Sequence, residues 1–504
     1  METQPWHRFY GSWTPASLDY GDATLVSQLA ETVATRPDRI ALRYVDQVVT
    51  YASLDHEIDR LAAALAQLGV RPGAFVALAL PNRPEHVIAF YAVLRLGATV
   101  VEHNPQFTAH ELAPMVADHG ARVAITAGPA VAIFQDLAEI EHVINVDDDW
   151  NEFLSRGTEL PERATVTKTD VALILYTSGT TGTPKGAMLT HGNLAANALQ
   201  MAAWRLPEEH PQALAVLPLF HSYGLTMSLT VGILSGATIT LLPAPRMEFI
   251  LSALSAHPPT WMPAVPTIYQ RVMSAAPKAH GIKQAISGAA TLPAATVAEW
   301  EELTGGILVE GYGLTEAAPV VACNPLNEHR RAGCIGLPMP DTEVRISPES
   351  GELLVRGPQV FAGYLHNEEA TRAAFEDGWL RTGDVATQDA DGFLTLHARL
   401  KETIITGGFN VYPAEVENVL TAHPALSDAA VLGRAREDGS EDVVACIVIK
   451  SDGAHSAPTD DELRAWCHSM LARYKVPRSF VRVDDLGRDA LGKLRRRSVA
   501  ERFL

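Results

Sequence analysis

Short apolar runs and helix-like patterns alternate along most of the chain. Runs of consecutive apolar residues, which predict buried strands, occur at 75–80, 98–101, 122–126, 171–176 and 213–216. Apolar residues recur at helical spacing over 85–96 and 193–205. Such alternation is typical of βαβ units, in which largely parallel sheets carry helices on their faces. The pattern therefore predicts an α/β fold, and it contains no fixed-period repeat.

The pattern changes near Arg345, where the predicted strands become shorter and turns become more frequent. Residues 351–356 predict a strand, and Asp391-Gly392 between two strand-like runs predicts a hairpin. A smaller unit begins after Leu400. Its predicted elements are a strand at 403–405, a helix at 413–421, a strand at 442–449 and a helix at 460–471. We therefore expect a compact α+β domain of about 100 residues at this end of the chain.

Composition indicates a globular protein of several domain-sized units. The chain has 504 residues, a formal net charge of −19, 47% hydrophobic residues and 20% charged residues. A chain this acidic is a poor general nucleic-acid binder, because neutralising phosphates needs clustered Lys and Arg. Four scattered cysteines without a CxxC pair argue against a disulfide framework and a thiolate zinc site, and they fit a reducing cytoplasm. The N-terminal residues contain no export signal.

The C-terminal segment departs from this acidic average. From Lys401 onward there are 15 basic and 16 acidic residues, whereas from Arg464 onward there are 11 basic and 4 acidic residues. A basic tail on an acidic protein indicates either a bound anion, such as a phosphorylated ligand, or a solvated helical end. The sequence leaves both interpretations open.

One stretch resembles a membrane span in length. Residues 211–245 contain no Asp, Glu, Lys or Arg, which is enough to cross a bilayer. Proline, glycine, serine and histidine interrupt the stretch repeatedly, however, and a buried strand–helix–strand segment has the same composition. We therefore predict protein core here and no integral membrane segment.

The segment most suggestive of chemistry is 176–186, Tyr-Thr-Ser-Gly-Thr-Thr-Gly-Thr-Pro-Lys-Gly, which follows a predicted strand. Glycines allow backbone N–H groups to turn toward an anion, hydroxyls add donors, and Lys185 adds a positive charge. This composition suits a polyphosphate. The Walker A pattern does not fit the segment.

Further motifs follow in a fixed order. They lie at 217–224, 311–316, 378–384, 399–416 and Gly492-Lys493. With these motifs the sequence resembles the acyl-adenylate-forming superfamily, which includes acyl-CoA synthetases, firefly-type luciferases and peptide-synthetase adenylation domains. The resemblance covers roughly residues 25–500. Residues 311–325 and Asn104-Pro105 are most similar to bacterial medium- and long-chain fatty-acid–CoA ligases.

The resemblance implies a domain organisation. It implies a large N-terminal domain of α/β subdomains with a small β-barrel-like subdomain, then a small mobile α+β domain. The corresponding boundaries are 1–398 for the adenylation domain that binds ATP and the acid, 399–401 for a hinge, and 402–504 for the mobile domain.

The resemblance also implies roles for individual residues. The expected phosphate-binding residues are Thr177, Ser178, Gly179, Thr180, Thr181, Gly182 and Lys185, and the expected adenosine-binding residues are Gly288, Ala289, Gly311, Tyr312, Gly313, Asp384 and Arg399. Thr315 would contact the α-phosphate, and Glu316 would help to bind Mg²⁺, which prefers carboxylate, water and phosphate oxygens. Lys493 would neutralise charge between the carboxylate and the α-phosphate. Lys401 would be the hinge residue, and Gly407 and Gly408 would line a thiol tunnel.

The motif at 217–224 bears on the acid. Amino-acid-activating domains usually place an aspartate where this chain has His221, directly after Phe220, so a free α-amino acid is disfavoured. The matching histidine of acyl-CoA synthetases lies beside the carboxylate. The expected acyl pocket consists of Tyr223, Met262, Ala264, Val265, Thr267, Ser287 to Ala290 and Ala318. These residues are mostly small and apolar, and a buried charge without a partner is costly, so an apolar acid is favoured.

The expected function is a two-step ligase with ATP and Mg²⁺. A carboxylic acid would become acyl-AMP with release of pyrophosphate, and CoA would then take the acyl group. Two departures from the family pattern, Ala398 for Gly and Leu486-Gly487 for Leu-Pro, leave an amine acceptor open as an alternative. A carrier protein in trans, a non-catalytic adenylate-binding protein and a luciferase-like oxidase are weaker alternatives. The sequence leaves the particular acid and a homodimer open.

Overall fold

The computed structural model describes residues 4–158, 164–178, 184–275, 281–406, 409–436, 441–450, 457–488 and 494–503. The chain divides into two compact units. Unit 1 contains Met1–Val344, Val355–Leu380 and Asp391–Phe393, and unit 2 contains Arg345–Leu354, Arg381–Ala390 and Leu394–Leu504. Each unit is described by itself.

The strands are β1 Ile40–Tyr44, β2 Gln47–Thr50, β3 Phe75–Ala79, β4 Thr99–Glu102, β5 Val123–Thr126, β6 His142–Asn145, β7 Val171–Ser178, β8 Pro184–Thr190, β9 Gln212–Ala215, β10 Thr238–Leu241, β11 Trp261–Ala264, β12 Gln284–Ser287, β13 Ile307–Gly313, β14 Val320–Cys323, β15 Leu337–Pro338, β16 Glu343–Ile346, β17 Glu352–Arg356, β18 Gly363–Tyr364, β19 Phe375–Glu376, β20 Trp379–Gln388, β21 Leu394–Arg399, β22 Ile404–Thr406, β23 Phe409–Val411, β24 Leu426–Ala435, β25 Glu441–Ile449 and β26 Ser479–Arg482.

The helices are α1 Leu25–Thr35, α2 Tyr51–Gln67, α3 Pro84–Arg95, α4 Ala109–His119, α5 Ala130–Gln135, α6 Trp150–Arg156, α7 His191–Trp204, α8 Ser222–Gly224, α9 Val231–Leu234, α10 Met247–Ala256, α11 Pro266–Ala275, α12 Ala294–Thr304, α13 Glu368–Ala373, α14 Pro413–Thr421, α15 Asp460–Met470 and α16 Arg496–Phe503. Leu225–Thr230 is π-helical, and Thr315–Ala317 and Leu400–Glu402 are short 3₁₀ helices.

Two large sheets form the framework of unit 1. One has seven strands in the order β18-β8-β7-β4-β3-β5-β6, and the other has nine in the order β15-β14-β13-β12-β11-β9-β10-β1-β2. The central pairs β3–β4, β3–β5, β4–β7 and β11–β12 are parallel. Strands buried on both faces need apolar residues at consecutive positions, and β4 and β5 are buried throughout. The predicted α/β class is confirmed.

The uncharged stretch at 211–245 is protein core, as predicted. It forms β9, α8, the π-helical segment, α9 and β10, and the residues from Leu225 to Ile233 are all buried. Within the part of the chain that the structure describes, no helix is long and apolar enough to cross a membrane.

Helix α7 shows how the sequence sets an element boundary beside the glycine-rich segment. Its N-cap Thr190 accepts a hydrogen bond from the Asn193 N–H at 3.1 Å, and the Thr190 N–H donates to Asn193 Oδ1 at 2.9 Å. This reciprocal capping satisfies N–H groups that the first helical turn leaves unpaired. Strand β8 therefore leads directly into a helix with a fixed start.

Unit 2 contains the α+β domain predicted from the sequence. Strands β24, β25 and β26 form a three-stranded sheet, and β22 pairs with β23. Helix α14 has the predicted bounds, Pro413–Thr421, and packs its buried Val416 and Leu420 against this sheet together with Leu463 of α15. The boundary between the two units falls within the small strands from β16 to β21.

Most of the described Lys and Arg residues of the basic tail form ion pairs with acidic residues of unit 2. The pairs are Arg464 with Asp461, Lys475 with Glu415, Arg478 with Asp442, Arg482 with Asp460, Arg488 with Asp428, Arg496 with Glu402 and Glu417, and Arg497 with Glu501. The excess positive charge of the tail is therefore largely balanced by acidic residues of the same unit, which neither of the two sequence interpretations anticipated.

All four cysteines are unpaired and buried. Burial raises the pKa of the Cys323 and Cys334 thiols in unit 1 and of the Cys446 thiol in unit 2. It raises the pKa of Cys467 to about 11. The expectation of free thiols without a disulfide framework is confirmed.

Candidate nucleotide and acyl site

The glycine-rich segment connects two paired strands in unit 1. Strands β7 and β8 are antiparallel, with Thr177 opposite Lys185 and Ser178 opposite Pro184. The Tyr176 hydroxyl, at the start of the segment, donates a hydrogen bond to Asp118 Oδ2 at 2.7 Å and so holds this end in place. The predicted phosphate-binding residues Gly179, Thr180, Thr181 and Gly182 lie outside the described residues.

Glu316 lies beside this hairpin. It follows β13 in the short 3₁₀ helix Thr315–Ala317. Its Oε1 accepts a hydrogen bond from the Tyr364 hydroxyl at 2.8 Å and a longer one from Thr177 Oγ1 at 3.4 Å. Thr315 Oγ1 lies 3.4 Å from Ser222 Oγ of α8. The structure therefore brings the predicted residue Thr177 to Glu316, which is 139 positions away in sequence and adjacent to Thr315.

Lys185 joins the same group through an aromatic ring. Its Nζ lies 5.3 Å from the centroid of the Tyr364 ring, within the range of a cation–π contact. Tyr364 lies in β18, which pairs with β8 so that Tyr364 is opposite Ala187. One tyrosine thus contacts both the expected phosphate lysine and the expected metal carboxylate.

Tyr312 and its two flanking glycines end strand β13. The Tyr312 side chain is buried, with 8% exposure. A Cβ on Gly313 would lie 2.0 Å from the Pro319 carbonyl oxygen, whereas a Cβ on Gly311 would meet its nearest neighbours at an ordinary 3.5 Å. The prediction had assigned both glycines to close approach of a nucleotide. The structure shows that Gly313 is already required by the neighbouring backbone.

Glu310, directly before this motif, is a buried carboxyl group. Its residue exposure is 8%, and burial raises its pKa to about 8. Burial disfavours the charged form of a carboxyl group, so Glu310 is largely protonated at neutral pH. It follows that the acidic residues on either side of Tyr312, Glu310 and Glu316, have different surroundings.

The expected acyl-pocket residues converge around Tyr223. Its hydroxyl donates to the Ile286 carbonyl oxygen at 2.6 Å, and a Cβ on Gly288 would lie 3.0 Å from its ring. His221 Nδ1 accepts a hydrogen bond from the Tyr223 N–H at 3.2 Å. Met262, Ala264, Val265, Ser287 and Ala318 are buried as well, and Ala289 has a positive φ of 66°. Thr267, in contrast, is exposed on the first turn of α11, and its role stays a prediction.

Asp384 and Arg399 form a second candidate group, within unit 2. Arg399 Nε lies 2.9 Å from Asp384 Oδ1, and the two residues are paired across β20 and β21. The Asp384 side chain is 7% exposed, whereas that of Arg399 is 49% exposed. The turn before Asp384 is held by Glu352, whose Oε1 accepts the Gly383 N–H at 2.9 Å and whose Oε2 accepts from Arg381 Nη2 at 2.8 Å.

Several predicted residues cannot be compared with the structure. Gly407, Gly408 and Lys493 lie outside the described residues, and of Lys401 only the backbone, in the 3₁₀ helix Leu400–Glu402, is described. The hinge at 399–401, the thiol tunnel and the adenylation lysine therefore stay predictions.

The two departures from the family pattern have different structural settings. Ala398 lies in β21 opposite Val385, next to a shift in the register between β20 and β21. Gly487 has φ of +66°, which proline cannot adopt because its ring fixes φ near −65°. The glycine at 487 is therefore a backbone requirement of this chain, and a simple return to proline would not fit the observed conformation.

Sequence reasoning missed Tyr364 and Glu352. Tyr364 is separated from Glu316 by 48 positions, and Glu352 from Gly383 by 31 positions. A signal for Tyr364 was present in Gly363-Tyr364, because an aromatic residue after a glycine at the end of an apolar segment suggests a short paired strand. For Glu352 the signal was a buried acidic position at the start of the predicted strand at 351–356.

Comparison with known proteins agrees with this geometry. The family model described as AMP-binding enzyme matches residues 29–365. A second model, described as AMP-binding enzyme C-terminal domain, matches residues 415–493. The chain therefore belongs to the AMP-binding enzyme family. It is 35% identical to a long-chain-fatty-acid–CoA ligase of Bacillus subtilis, over 99% of this chain and 98% of that protein. It is 36% identical to a feruloyl-CoA synthase of an Amycolatopsis species, over 93% of this chain and 96% of that protein.

A solved structure supports the fold assignment. The o-succinylbenzoate coenzyme A synthetase of Bacillus subtilis, in complex with ATP and magnesium ion, aligns with a TM-score of 0.83 at 31% identity. The alignment covers 94% of this chain and 99% of that one. The predicted large N-terminal and small C-terminal domains of the fold class are confirmed.

The donor set around Glu316 fits a magnesium ion that is shared with a nucleotide. Among the described residues, no group of three or more His, Cys, Asp or Glu side chains could hold a metal ion by itself. Mg²⁺ is commonly bound by one or two carboxylates together with waters and substrate phosphates. A single carboxylate, Glu316, next to the base of the glycine-rich hairpin is consistent with that mode of binding.

Proposed function

We propose that this chain is an AMP-forming acid–thiol ligase that activates an apolar carboxylic acid with Mg·ATP and transfers the acyl group to CoA. The observation that carries the proposal is the group formed by Thr177, Lys185 and Glu316 around Tyr364 at the base of the glycine-rich hairpin. One tyrosine contacts both a lysine and a carboxylate, and this supports the binding of phosphate and metal near each other.

In the first step the carboxylate of the acid attacks the α-phosphate of ATP, and pyrophosphate leaves. Lys185 and the hydroxyl-rich hairpin bind the β- and γ-phosphates, and Thr315 contacts the α-phosphate. Asp384 accepts hydrogen bonds from the ribose hydroxyls, with Arg399 beside it. Mg²⁺, held by Glu316, supplies positive charge that offsets the charge of the phosphates. Lys493 neutralises the charge that builds up between the carboxylate and the α-phosphate.

In the second step the acyl group passes from AMP to the CoA thiol. The domain that follows Lys401 would rotate, withdraw Lys493 and bring Gly407 and Gly408 to the site. AMP is a good leaving group because acyl-AMP is a mixed anhydride, so the thiol sulfur attacks the acyl carbon directly. His221, held against the Tyr223 backbone N–H, would lie beside the carboxylate in the first step and help to open the thiol path in the second.

CoA is favoured over an amine as the acceptor. The relatives named above are a CoA ligase and a CoA synthase, and both align along nearly the whole chain. Those two relatives use different acids, a long-chain fatty acid and a ferulate. The acid of this chain is therefore defined only by the buried, mostly apolar lining around Tyr223.

The experiment is a mass-spectrometric assay with Mg·ATP and a panel of fatty and aromatic acids. Parallel samples contain CoA, a simple amine or neither. Acyl-CoA that forms only with CoA supports the proposal and ranks the acids. Acyl-AMP that persists with CoA but is consumed by the amine contradicts it. Lys493→Ala should abolish product, whereas the exposed Arg497→Ala should leave product formation unchanged.

We also propose that the protein acts in the cytoplasm, because its four cysteines are free thiols that fit a reducing compartment. A homodimer stays a prediction, as does the lack of nucleic-acid binding. Analytical ultracentrifugation and a filter-binding assay with RNA and DNA check these two statements.

A further inference from the structure

We propose that Tyr364 is a positioning residue that couples metal binding to nucleotide binding, by holding Glu316 through its hydroxyl and Lys185 through its ring. The inference rests on the proposed function, because it assigns Glu316 to the metal and Lys185 to the phosphates of ATP. It adds a residue that touches neither of these ligands in the proposed reaction.

The backbone around Tyr364 is tied to both partners. The Leu365 N–H donates to the Gly186 carbonyl oxygen at 2.8 Å, and the Ala362 N–H donates to the Met188 carbonyl oxygen at 3.0 Å. The Phe361 N–H donates to the carbonyl oxygen of Glu316 itself at 2.9 Å. Segment 361–365 is thus attached by its main chain to the strand after the glycine-rich turn and to the residue that carries the carboxylate.

Side-chain contacts then fix the orientation of the ring. The Tyr364 N–H donates to Thr371 Oγ1 at 2.8 Å, and the Phe361 ring packs edge-on against the Tyr364 ring with centroids 4.9 Å apart. The N–H bond holds the backbone of Tyr364 and the Phe361 contact holds its ring, and both help to place the hydroxyl.

The geometry at Glu316 suits a metal ligand. Both described hydrogen bonds to the carboxylate, from Tyr364 and Thr177, end on Oε1. They hold Oε1, and neither of these two donors bonds to Oε2. Both donors are neutral, so they orient the carboxylate without cancelling its charge. A ligand oxygen that is oriented by hydrogen bonds to its carboxylate is the usual arrangement around bound metals.

Lys185 is the second partner of the same ring. A cation over an aromatic face is attracted by the ring quadrupole, and this contact limits the directions that the flexible lysine side chain can take. Removing only the hydroxyl should therefore affect the metal, while removing the whole ring should affect the phosphates too. This difference separates a positioning role from a general packing role.

The test compares Tyr364→Phe and Tyr364→Leu with the wild type by isothermal titration calorimetry without acid or CoA. Each protein is titrated with Mg·ATP and with ATP in EDTA. The metal should raise the affinity of the wild type for ATP. In Tyr364→Phe this metal-dependent increase should be about tenfold smaller, because a hydrogen bond to a charged group is lost. Its affinity for ATP in EDTA should stay within about twofold of wild type. Tyr364→Leu should in addition bind ATP in EDTA about fivefold more weakly than the wild type does.

The control is Tyr20→Phe. The Tyr20 hydroxyl also donates to a carboxylate at 2.8 Å, that of Asp341, so this variant removes the same kind of bond elsewhere in unit 1. It should bind both forms of ATP as the wild type does. A Tyr364→Phe protein that keeps the full metal-dependent gain overturns the inference, even if Tyr364→Leu fails to fold.

The same experiment keeps the two proposals apart. If the wild type makes acyl-CoA in the mass-spectrometric assay but Tyr364→Phe keeps the metal-dependent gain, only the inference about Tyr364 is wrong. If the wild type makes neither acyl-AMP nor acyl-CoA, the proposed function is wrong. If the wild type binds Mg·ATP no better than ATP in EDTA, the inference is overturned whatever the products are.

Discussion

The two carboxylates expected to bind the nucleotide, Glu316 in unit 1 and Asp384 in unit 2, are held by different kinds of partner. Glu316 accepts hydrogen bonds from the neutral hydroxyls of Tyr364 and Thr177. Asp384 is paired with the guanidinium of Arg399. Neutral donors leave a carboxylate its full charge, whereas a cation balances it. The first arrangement suits a metal ion and the second suits neutral hydroxyl groups such as those of ribose.

The contrast extends to the rest of unit 2. Arg496 contacts both Glu402 and Glu417, and Arg381 contacts Glu352, so charges in this unit mostly balance one another. Net charge along a stretch of sequence therefore does not reveal a ligand site in unit 2.

Glu316→Gln should give the largest effect, because it removes the charge while keeping a side chain of the same shape. We expect the kcat/KM for acid-dependent pyrophosphate release to fall about 10³-fold. A coupled pyrophosphate assay measures this, with the exposed Glu31→Gln as the control. If binding of ATP in EDTA fell by the same factor, the charge of Glu316 would not act through a metal. That result would contradict the contrast drawn between Glu316 and Asp384.

Arg496→Met should destabilise the protein by about 3 kcal/mol, because it leaves Glu417, whose side chain is 14% exposed, without its cation. Guanidinium chloride unfolding followed by circular dichroism measures the change. Arg497→Ala, which removes an exposed pair with Glu501, should change stability by less than about 0.5 kcal/mol. Equal effects of the two variants would contradict the view that unit 2 depends on its less exposed ion pairs.

Asp384→Asn should raise the KM for ATP about 30-fold, because it weakens hydrogen bonds to the ribose and releases Arg399. A sharper readout is the preference for ATP over 2′-deoxy-ATP. The wild type should show this preference and the variant should largely lose it. If Asp384→Asn kept the preference, Asp384 would not contact the 2′-hydroxyl, and the contrast with Glu316 would need another explanation.

Glu310→Gln should give the smallest effect, and only at high pH. The pKa of Glu310 is raised from 4.5 to about 8 in the folded protein, so its contribution to stability is complete below about pH 4.5 and is lost as pH rises through 8. The variant lacks this loss. Between pH 6.5 and 9 the free energy of unfolding of the wild type should therefore fall by about 2 kcal/mol more than that of the variant. Parallel curves would show that Glu310 is ionised at neutral pH.

Most of the framework could be predicted from the sequence because buried strands and helices are encoded locally. The apolar run at 75–80 became β3 Phe75–Ala79, and the amphipathic pattern at 413–421 became α14 with the same bounds. In both segments the pattern of buried positions is set by near neighbours in sequence: consecutive residues in β3 and one face in α14. Patterns of this kind can therefore be recognised without knowledge of the tertiary structure.

The partners of the charged site residues could not be predicted in this way. Glu316 and Tyr364 are 48 positions apart, and Arg496 and Glu402 are 94 positions apart. Such contacts depend on strand order and on which face a side chain occupies. For the same reason the sequence left the basic tail ambiguous, because its acidic partners lie in earlier elements of the same unit.

Gly313 illustrates a different limit. The role predicted for this glycine, room for a nucleotide, stays a prediction, and the structure supplies a separate reason for a glycine here. The Pro319 carbonyl oxygen already occupies the space of a Cβ at this position. A motif can therefore identify a residue that is needed without giving the physical reason.

The buried cysteines have a practical consequence for following the proposed domain rotation. A thiol that is inaccessible and has a raised pKa reacts slowly with maleimides at neutral pH. A cysteine introduced at an exposed position of each unit would therefore be labelled first, and the native cysteines could stay in place. Two fluorophores attached in this way would report the distance between the units during turnover, one molecule at a time.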